Sequence, residues 1–133
     1  YAMIQPLEFR AMLVVADLAA NLRFYEELLG LRRVMAWDGG AILSLASGRS
    51  LELRAAKPGA AGEGLSSGEL MLGIAVADVD AAHDALAAAG VPIARKLKDN
   101  PWGDRSFAVT DPNGIRVWVY QITDPILARD LGI

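Results

Sequence analysis

Hydrophobic and polar residues alternate along most of this chain, and the alternation gives way to helical spacing once in the first half. Residues 6–16 alternate like a strand with one buried face. Residues 18–29 then place apolar side chains at helical spacing, behind Asp17 as an N-cap and ahead of Gly30 as a terminating glycine. Three further strands are predicted over residues 31–37, 41–46 and 49–55. The first half therefore predicts a βαβββ unit.

The same order restarts in the second half. Residues 70–77 predict a strand, Asp78 takes the position of the N-cap, and residues 79–89 have helical spacing up to Gly90. Three strands again follow, over residues 91–98, 105–110 and 115–121. A duplicated βαβββ unit fixes the architecture, so we expect an α+β fold whose two modules form a cupped mixed sheet of about eight strands.

A turn and a linker complete the predicted organisation. Asp111-Pro112-Asn113-Gly114 has the residues of a tight turn, since proline presets φ and glycine accepts φ > 0. A single domain is expected over residues 1–133, with modules at about 7–55 and 69–122. Residues 56–68 are rich in Gly, Ser and Pro and are predicted to link them. We expect Met3 to be the natural first residue and residues 125–132 to form a short helix.

Composition changes this picture mainly by exclusion. The net charge is −3 and the 13 lysine and arginine residues are scattered, so nucleic acid is not an expected partner. The absence of cysteine excludes disulfides and thiolate metal sites, and it suits a reducing cytoplasm. No apolar run reaches the roughly 18 residues of a membrane span, and no signal-peptide pattern is present. A cytoplasmic protein without a membrane partner is expected.

Large aromatic and flexible side chains occur on strand faces that do not carry the core pattern. Trp118 and Tyr120 alternate with valines, and their rings can either stack on a planar ligand or fill a cavity. Trp102 lies in a Pro-Trp-Gly loop, where it can contact a ligand or anchor the loop. Met35 and Trp37 are predicted to share a face with Arg33. Adaptable lining and plain core packing both suit the methionines Met12, Met35 and Met71.

Charged candidates admit similar alternatives. Arg10 and Glu52 are predicted on one concave surface, either as a polar clamp for a ligand or as an internal ion pair with Arg54 as a further partner. His83 is the only histidine and is predicted to be a solvated helix position. No hydrolase triad or phosphate-binding loop is present, so no catalytic residue is predicted.

Two segments of the chain resemble a known superfamily. They read LVVADLAANLRFYEELLGL (residues 13–31) and PWGDRSFAVTDPNGIRVWVYQ (residues 101–121). Both are similar to the vicinal oxygen chelate superfamily, which contains glyoxalases, extradiol dioxygenases, fosfomycin-resistance enzymes and bleomycin-resistance proteins. The resemblance covers essentially the whole domain, and it implies a fold that serves many chemistries.

The resemblance also implies where a metal would be held. In metal-dependent members each repeat gives one ligand from its first strand and one from its last, and those places hold Arg10, Glu52, Met71 and Trp118 here. Only Glu52 suits a hard divalent cation. We therefore expect no metal and no cofactor. The run Pro101–Arg105 resembles the bleomycin-resistance branch, whose members bind flat or extended ligands in grooves at a dimer interface.

Together these observations favour a metal-free small-molecule binding protein. It is expected to sequester a hydrophobic planar ligand, such as an antibiotic, in an aromatic-lined cup of a homodimer. The predicted ligand-binding residues are Arg10, Met12, Met35, Trp37, Glu52, Met71, Trp102, Trp118 and Tyr120. Two alternatives stay open: a glyoxalase-like lyase, isomerase or dioxygenase, metal-dependent or metal-free, and a domain whose cup is packed shut and serves protein association.

Overall fold

A computed structural model describes residues 3, 5, 7–46, 48–57 and 70–133. The chain divides into two compact units, Tyr1–Gly64 and Leu65–Ile133, and each has its own sheet and helix. The predicted linker lies outside the described residues from position 58 onward, as does the predicted start of the second module at residue 69.

The first unit has the predicted βαβββ order. Its four strands line up as β1-β4-β3-β2, with β1 parallel to β4 and the other neighbours antiparallel. Helix α1 continues directly into a π-helical segment before β2 begins. The elements are β1 Phe9–Val15, α1 Leu18–Leu22, the π-helical segment Arg23–Leu28, β2 Arg32–Trp37, β3 Gly40–Ala46 and β4 Arg49–Ala55.

The second unit repeats this arrangement. Its strands line up as β5-β8-β7-β6, again with only the first pair parallel, and a C-terminal helix follows. Two mixed four-stranded sheets with helices confirm the α+β class and the duplication. The elements are β5 Met71–Ala75, α2 Val79–Ala88, β6 Ile93–Asn100, β7 Asp104–Thr110, β8 Arg116–Ile122 and α3 Pro125–Leu131. No helix in the described ranges is long and apolar enough to cross a membrane.

Both main helices begin at the predicted aspartate. Asp17 Oδ1 accepts a hydrogen bond from the Ala20 amide at 2.9 Å, and Asp78 Oδ1 accepts one from the Ala81 amide at 3.0 Å. Each carboxylate thus satisfies an amide that the first helical turn leaves without a partner.

The first helix departs from the regular helix that its spacing predicts. The Leu29 amide donates to the Phe24 carbonyl at 2.9 Å, five residues back, as in a π-helix. Neighbouring residues of an α-helix point about 100° apart. The wider turn coincides with the burial of two consecutive aromatics, Phe24 and Tyr25, whose rings meet edge to face with centroids 5.0 Å apart.

Each sheet buries one face against the helix of its own unit. In the first unit that face carries Leu13, Val15, Leu43, Leu51 and Leu53. In the second it carries Phe107, Val109, Val117 and Val119, beneath Val79 and Leu86 of α2. Burial of these side chains is the main favourable term for both units.

His83 does not occupy the solvated position that the sequence predicted. Its ring packs edge-on against Phe107 with the ring centroids 5.2 Å apart, so it lies on the sheet side of α2. Aromatic edge-to-face contacts of this kind are favourable, and the histidine therefore contributes to packing between α2 and β7.

The predicted turn between β7 and β8 is present, and a buried carboxylate organises it. Asp111 Oδ1 accepts hydrogen bonds from the amides of Asn113 and Ile115, both at 2.8 Å, and Asp111 Oδ2 accepts one from Asn113 Nδ2. Gly114 has a φ of 85°, which favours glycine. Asp111 is buried, so its carboxylate oxygens take the place of water as hydrogen-bond acceptors for these amides.

We expect Asp111→Ala to lower the free energy of unfolding by about 1–3 kcal/mol, because buried amides would lose their acceptor. Urea unfolding followed by circular dichroism measures the change. Asp130→Ala is the matched control, since that carboxylate is exposed on α3, and it should change stability by less than about 0.5 kcal/mol. Equal losses in the two variants would contradict the role assigned to Asp111.

Candidate functional site

The first sheet has an open face on the side away from α1. Across the middle of this face Met12 pairs with Glu52, Glu52 with Ile42, and Ile42 with Met35, so these side chains form one row. Trp37 pairs with Gly40 at the end of β2 and β3, and its ring lies over that glycine. Met12 and Met35 are each 57% exposed. The open face of the first sheet thus holds five of the predicted ligand-binding residues: Arg10, Met12, Met35, Trp37 and Glu52.

Arg33 does not share this face, although strict alternation predicts it. The pairing of β2 with β3 shifts by one residue, because Arg33 pairs with Leu43 whereas Met35 pairs with Ile42. A bulge of this kind reverses the facing of the side chains beyond it. Arg33 instead lies on the helix side, where its guanidinium donates to both carboxylate oxygens of Glu26 at 2.8 and 2.7 Å.

A compensated charge cluster lies on the open face of the first sheet. Glu52 is only 3% exposed, and its Oε1 accepts a hydrogen bond from Arg10 Nη1 at 2.8 Å. Its Oε2 accepts one from Arg54 Nε. Arg10 also pairs with Glu8 at 2.8 Å. These contacts lower the pKa of Glu52, with Arg54 the larger cause and Arg10 the next. The structure shows the internal ion pair that was one of the two alternatives.

The second sheet also has an open face, away from α2, and it is aromatic. Arg116, Trp118 and Tyr120 alternate on β8 with buried valines, as predicted. Trp118 Nε1 lies 3.3 Å from Met71 Sδ on the neighbouring strand. The Tyr120 ring lies over Gly73, where a Cβ would approach Tyr120 Cε1 to 3.2 Å. The absence of a side chain at Gly73 therefore leaves room for the Tyr120 ring.

Trp102 lies in the turn between β6 and β7, as predicted, but not beside Trp118. It is 64% exposed, and its Nε1 donates to Asp104 Oδ2 at 3.0 Å. Asp104 pairs with Ile122 at the end of the sheet, several residues along the strand from Trp118. The turn that carries Trp102 therefore lies at the end of the sheet, four residues along β8 from Trp118 and two from Tyr120.

A cleft of about 120 Å³ opens on the same face as Trp118. The Arg95 guanidinium carbon lies 5.7 Å from the centre of the Trp118 ring, within the range of a cation–π contact. None of the cationic residues of this cleft was among the predicted site residues. The available signal was the cation-rich run at residues 95–98 of a predicted strand. The cleft is lined by Arg95, Lys96, Lys98, Ser106 and Trp118.

A larger cavity of about 300 Å³ lies elsewhere in the second unit, and its lining is mostly small and apolar. Its one side-chain amide, Gln121, already accepts a hydrogen bond from the Val79 amide through Oε1 at 3.1 Å. Polar groups that converge on a ligand mark a binding site better than volume does. We therefore place the candidate site at the smaller cleft.

The four positions where the resemblance implies metal ligands do not fit a metal here. Both oxygens of Glu52 are engaged by guanidinium groups, and Arg10 is itself a cation. In the second unit the Met71 sulfur faces the N–H of Trp118. Within the described ranges no group of three His, Cys, Asp or Glu residues could hold a metal ion. Hard divalent cations need several oxygen or imidazole ligands, so this donor set does not suit them.

Replacing Glu52 by glutamine is expected to lower the free energy of unfolding by about 1–3 kcal/mol at neutral pH, because a charged acceptor of two guanidinium groups is lost. The pKa of Glu52 is lower in the folded chain than its usual 4.5. Its contribution is therefore complete above the unfolded pKa and disappears as the pH falls through the folded value.

Urea unfolding of the parent protein and of Glu52→Gln, at neutral pH and in strong acid, checks this expectation. The two proteins should differ at neutral pH and converge in acid. Glu27→Gln is the control, because that exposed carboxylate makes only a surface pair with Arg23. A difference between parent and Glu52→Gln that is the same at both pH values would refute the assignment.

The chain is similar in fold to several proteins of known structure. No curated protein matches the sequence. Among solved structures the chain is similar to TnmS3, an antibiotic binding protein from Streptomyces sp. CB03234, with 24% identity, 92% of this chain and 99% of that chain covered, and a TM-score of 0.72.

Two further solved structures share the fold. One is a glyoxalase/bleomycin resistance protein/dioxygenase from Nocardioides, with 23% identity, 93% of this chain and 88% of that chain covered, and a TM-score of 0.72. The other is a glyoxalase/bleomycin resistance protein from Catenulispora acidiphila DSM 44928, with 26% identity, coverage of 87% and 98%, and a TM-score of 0.65. Residues 9–119 match one family model. The chain belongs to the Glyoxalase/Bleomycin resistance protein/Dioxygenase superfamily.

Proposed function

We propose that this protein is a metal-free small-molecule binding protein that captures a hydrophobic planar ligand, such as an antibiotic. The observation that carries the proposal is the half-buried Trp118 ring, which lines a cleft and lies on an aromatic open face together with Tyr120. A flat ring of this kind offers apolar contact area at little conformational cost. The donor set at the implied metal-ligand positions supports binding rather than metal chemistry, because Glu52 is its one carboxylate and both of its oxygens are engaged by arginines.

The free energies expected for these contacts are consistent with a useful binding affinity. An aromatic pair contributes about 0.5–1.5 kcal/mol beyond the burial of its area. Apolar burial contributes about 25 cal/mol per Å², whereas lost motion on association opposes binding by several kcal/mol. A cleft of about 120 Å³ encloses only part of a drug-sized ligand. The remainder would lie along the open face, over Tyr120 and Met71.

The open face of the first sheet offers a second adaptable surface. Its exposed apolar members are Met12, Met35 and Trp37, and methionine adjusts to differently shaped partners. Arg10 and Glu52 form an ion pair on this face, and the buried Arg10 Nε has no hydrogen-bond partner among the described residues. The proposed role of this pair is to set the orientation of polar ligand groups. Trp102 would contribute from its exposed turn. The similarity to an antibiotic binding protein from Streptomyces supports this class of function.

Trp118→Ala is expected to weaken the binding of planar ligands at least about tenfold, because the main stacking surface is removed. Isothermal titration calorimetry against anthraquinone, acridine and naphthalene derivatives measures the affinity. The affinity should not change when excess EDTA is present, since no metal takes part.

Phe9→Ala is the matched control for this experiment. Phe9 is an aromatic residue that is 87% exposed, and it lies on the other face of its sheet from Met12. The control should bind as the parent does, and circular dichroism verifies the fold of both variants. If no planar compound binds the parent protein, or if Trp118→Ala binds like Phe9→Ala, the proposed function is wrong.

A homodimer is part of the proposal, because the apolar side chains of the first open face stay exposed in the single chain. Sedimentation equilibrium should give twice the chain mass of 14.2 kDa. Met12→Glu should shift the protein toward the monomer, since a charge in an apolar interface loses hydration. Ile126→Glu, at an exposed position of α3, should not. A parent protein that is monomeric at about 100-micromolar concentration, where a dimer with a micromolar Kd would form, contradicts the dimer.

A further inference from the structure

A first register irregularity in strand β6 places Arg95 on the open, aromatic face of the second sheet. Ile93 pairs with Val109, a buried residue on the helix side of β7. Arg95 lies two positions further and would share that side in a regular strand. It pairs instead with Ala108, the neighbour of Trp118 on the open face. The register shift between Ile93 and Arg95 therefore places the guanidinium on the open face.

A second irregularity keeps the next cation on the same side. Lys98 lies three positions beyond Arg95, so regular alternation would put these two residues on opposite faces. The register shifts again between them, and Lys98 pairs with Ser106, which lines the cleft. Bulges re-aim side chains and are over-represented next to functional sites. Two of them in one strand bring Arg95 and Lys98 to the same cleft.

The cations of this cleft are not neutralised by the described part of the chain. No carboxylate in that part forms an ion pair with Arg95, Lys96 or Lys98, whereas Arg10, Arg33, Arg54 and Arg105 all have such partners. Asp99 follows Lys98 but pairs with Arg105 instead. Asp104, near the end of the sheet, accepts hydrogen bonds from Asn100 and Trp102. The cleft is therefore positively charged around one aromatic wall.

Protection of the sheet edge does not by itself account for this arrangement. Lysines and bulges on edge strands do discourage unwanted strand pairing, and β6 is an edge strand. That role requires only charges directed at solvent. Here the Arg95 guanidinium lies over the Trp118 ring. Arg95, Lys96 and Lys98 line the same cleft as this ring.

We propose that this cleft binds an oxyanion carried by a planar aromatic ring, such as an aryl carboxylate or sulfonate. The ring packs against Trp118, and the anionic group lies between Arg95 and Lys98, with the Ser106 hydroxyl beside it. Arginine suits this task because its planar guanidinium matches a carboxylate and also stacks on aromatic faces. The inference rests on the proposed function and adds the charge of the ligand to it.

Three probes of closely similar planar shape and different charge test the inference: 2-naphthoate, 2-naphthamide and 2-naphthamidinium. Calorimetry should give an affinity for naphthoate about tenfold higher than for the amide, because charge-assisted hydrogen bonds are the stronger ones. The cation should bind most weakly. Arg95→Gln and Lys98→Gln should each reduce the affinity for naphthoate and thereby narrow the preference for naphthoate over the amide.

Arg129→Gln is the matched control, since it removes the same charge from an exposed position on α3. It should leave all affinities unchanged. The inference is overturned if the amide binds as tightly as naphthoate, or if Arg129→Gln reduces naphthoate binding as much as Arg95→Gln does. In those outcomes the amide still binds in a Trp118-dependent manner and the proposed function stands. Absence of binding by every probe overturns both.

Discussion

Helices α1 and α2 each cover one face of the four-stranded sheet in their own unit, and the opposite faces carry exposed side chains such as Met12, Met35 and Met71. Apolar burial against the helix supplies the stability, so residues such as Leu53 and Phe107 are tied to the core. Side chains on the open faces are not required for burial against these helices. Arg10, Trp37 and Trp118 occupy them because nothing in the packing of either core excludes large polar or aromatic side chains there.

The two open faces differ in how their charges are treated. On the first face, Glu52 accepts hydrogen bonds from two guanidinium groups. Without them, this nearly buried carboxylate would lose its hydration and gain no hydrogen bond in exchange. On the second, Arg95 and Lys98 have no carboxylate partner within the described ranges. The first face is thus close to neutral, and the second is positive around an aromatic ring. The same βαβββ unit supports both because charge on an open face does not disturb the helix side.

Local signals in the sequence were sufficient for the order of elements and their caps. Asp17 and Asp78 cap helices because a carboxylate reaches only its nearest amides, which is a property of adjacent residues. Strand faces followed from alternation wherever pairing is regular, as on β8. Arg33 and Arg95 were misplaced or overlooked because a bulge depends on the partner strand and leaves no trace in a single strand's period.

The candidate site shows the same division. Glu52 and its arginine partners were foreseeable, since charges at neighbouring strand positions must compensate each other when they are buried. The separation of Trp102 from Trp118 was not foreseeable, because it depends on how far the hairpin extends beyond the aromatic row.

The two register irregularities of β6 allow the charge of the cleft to change while the rest of the second sheet stays the same. If the register shift between Arg95 and Lys98 were lost at unchanged strand length, Lys98 would turn away from the cleft, while β7 and β8 kept their pairing. A change of pairing register at a sheet edge would thus alter the charge of an accepted ligand without any substitution among the residues that contact its ring. Chains of this fold that differ in the register of β6 would then select differently charged molecules on the same aromatic surface.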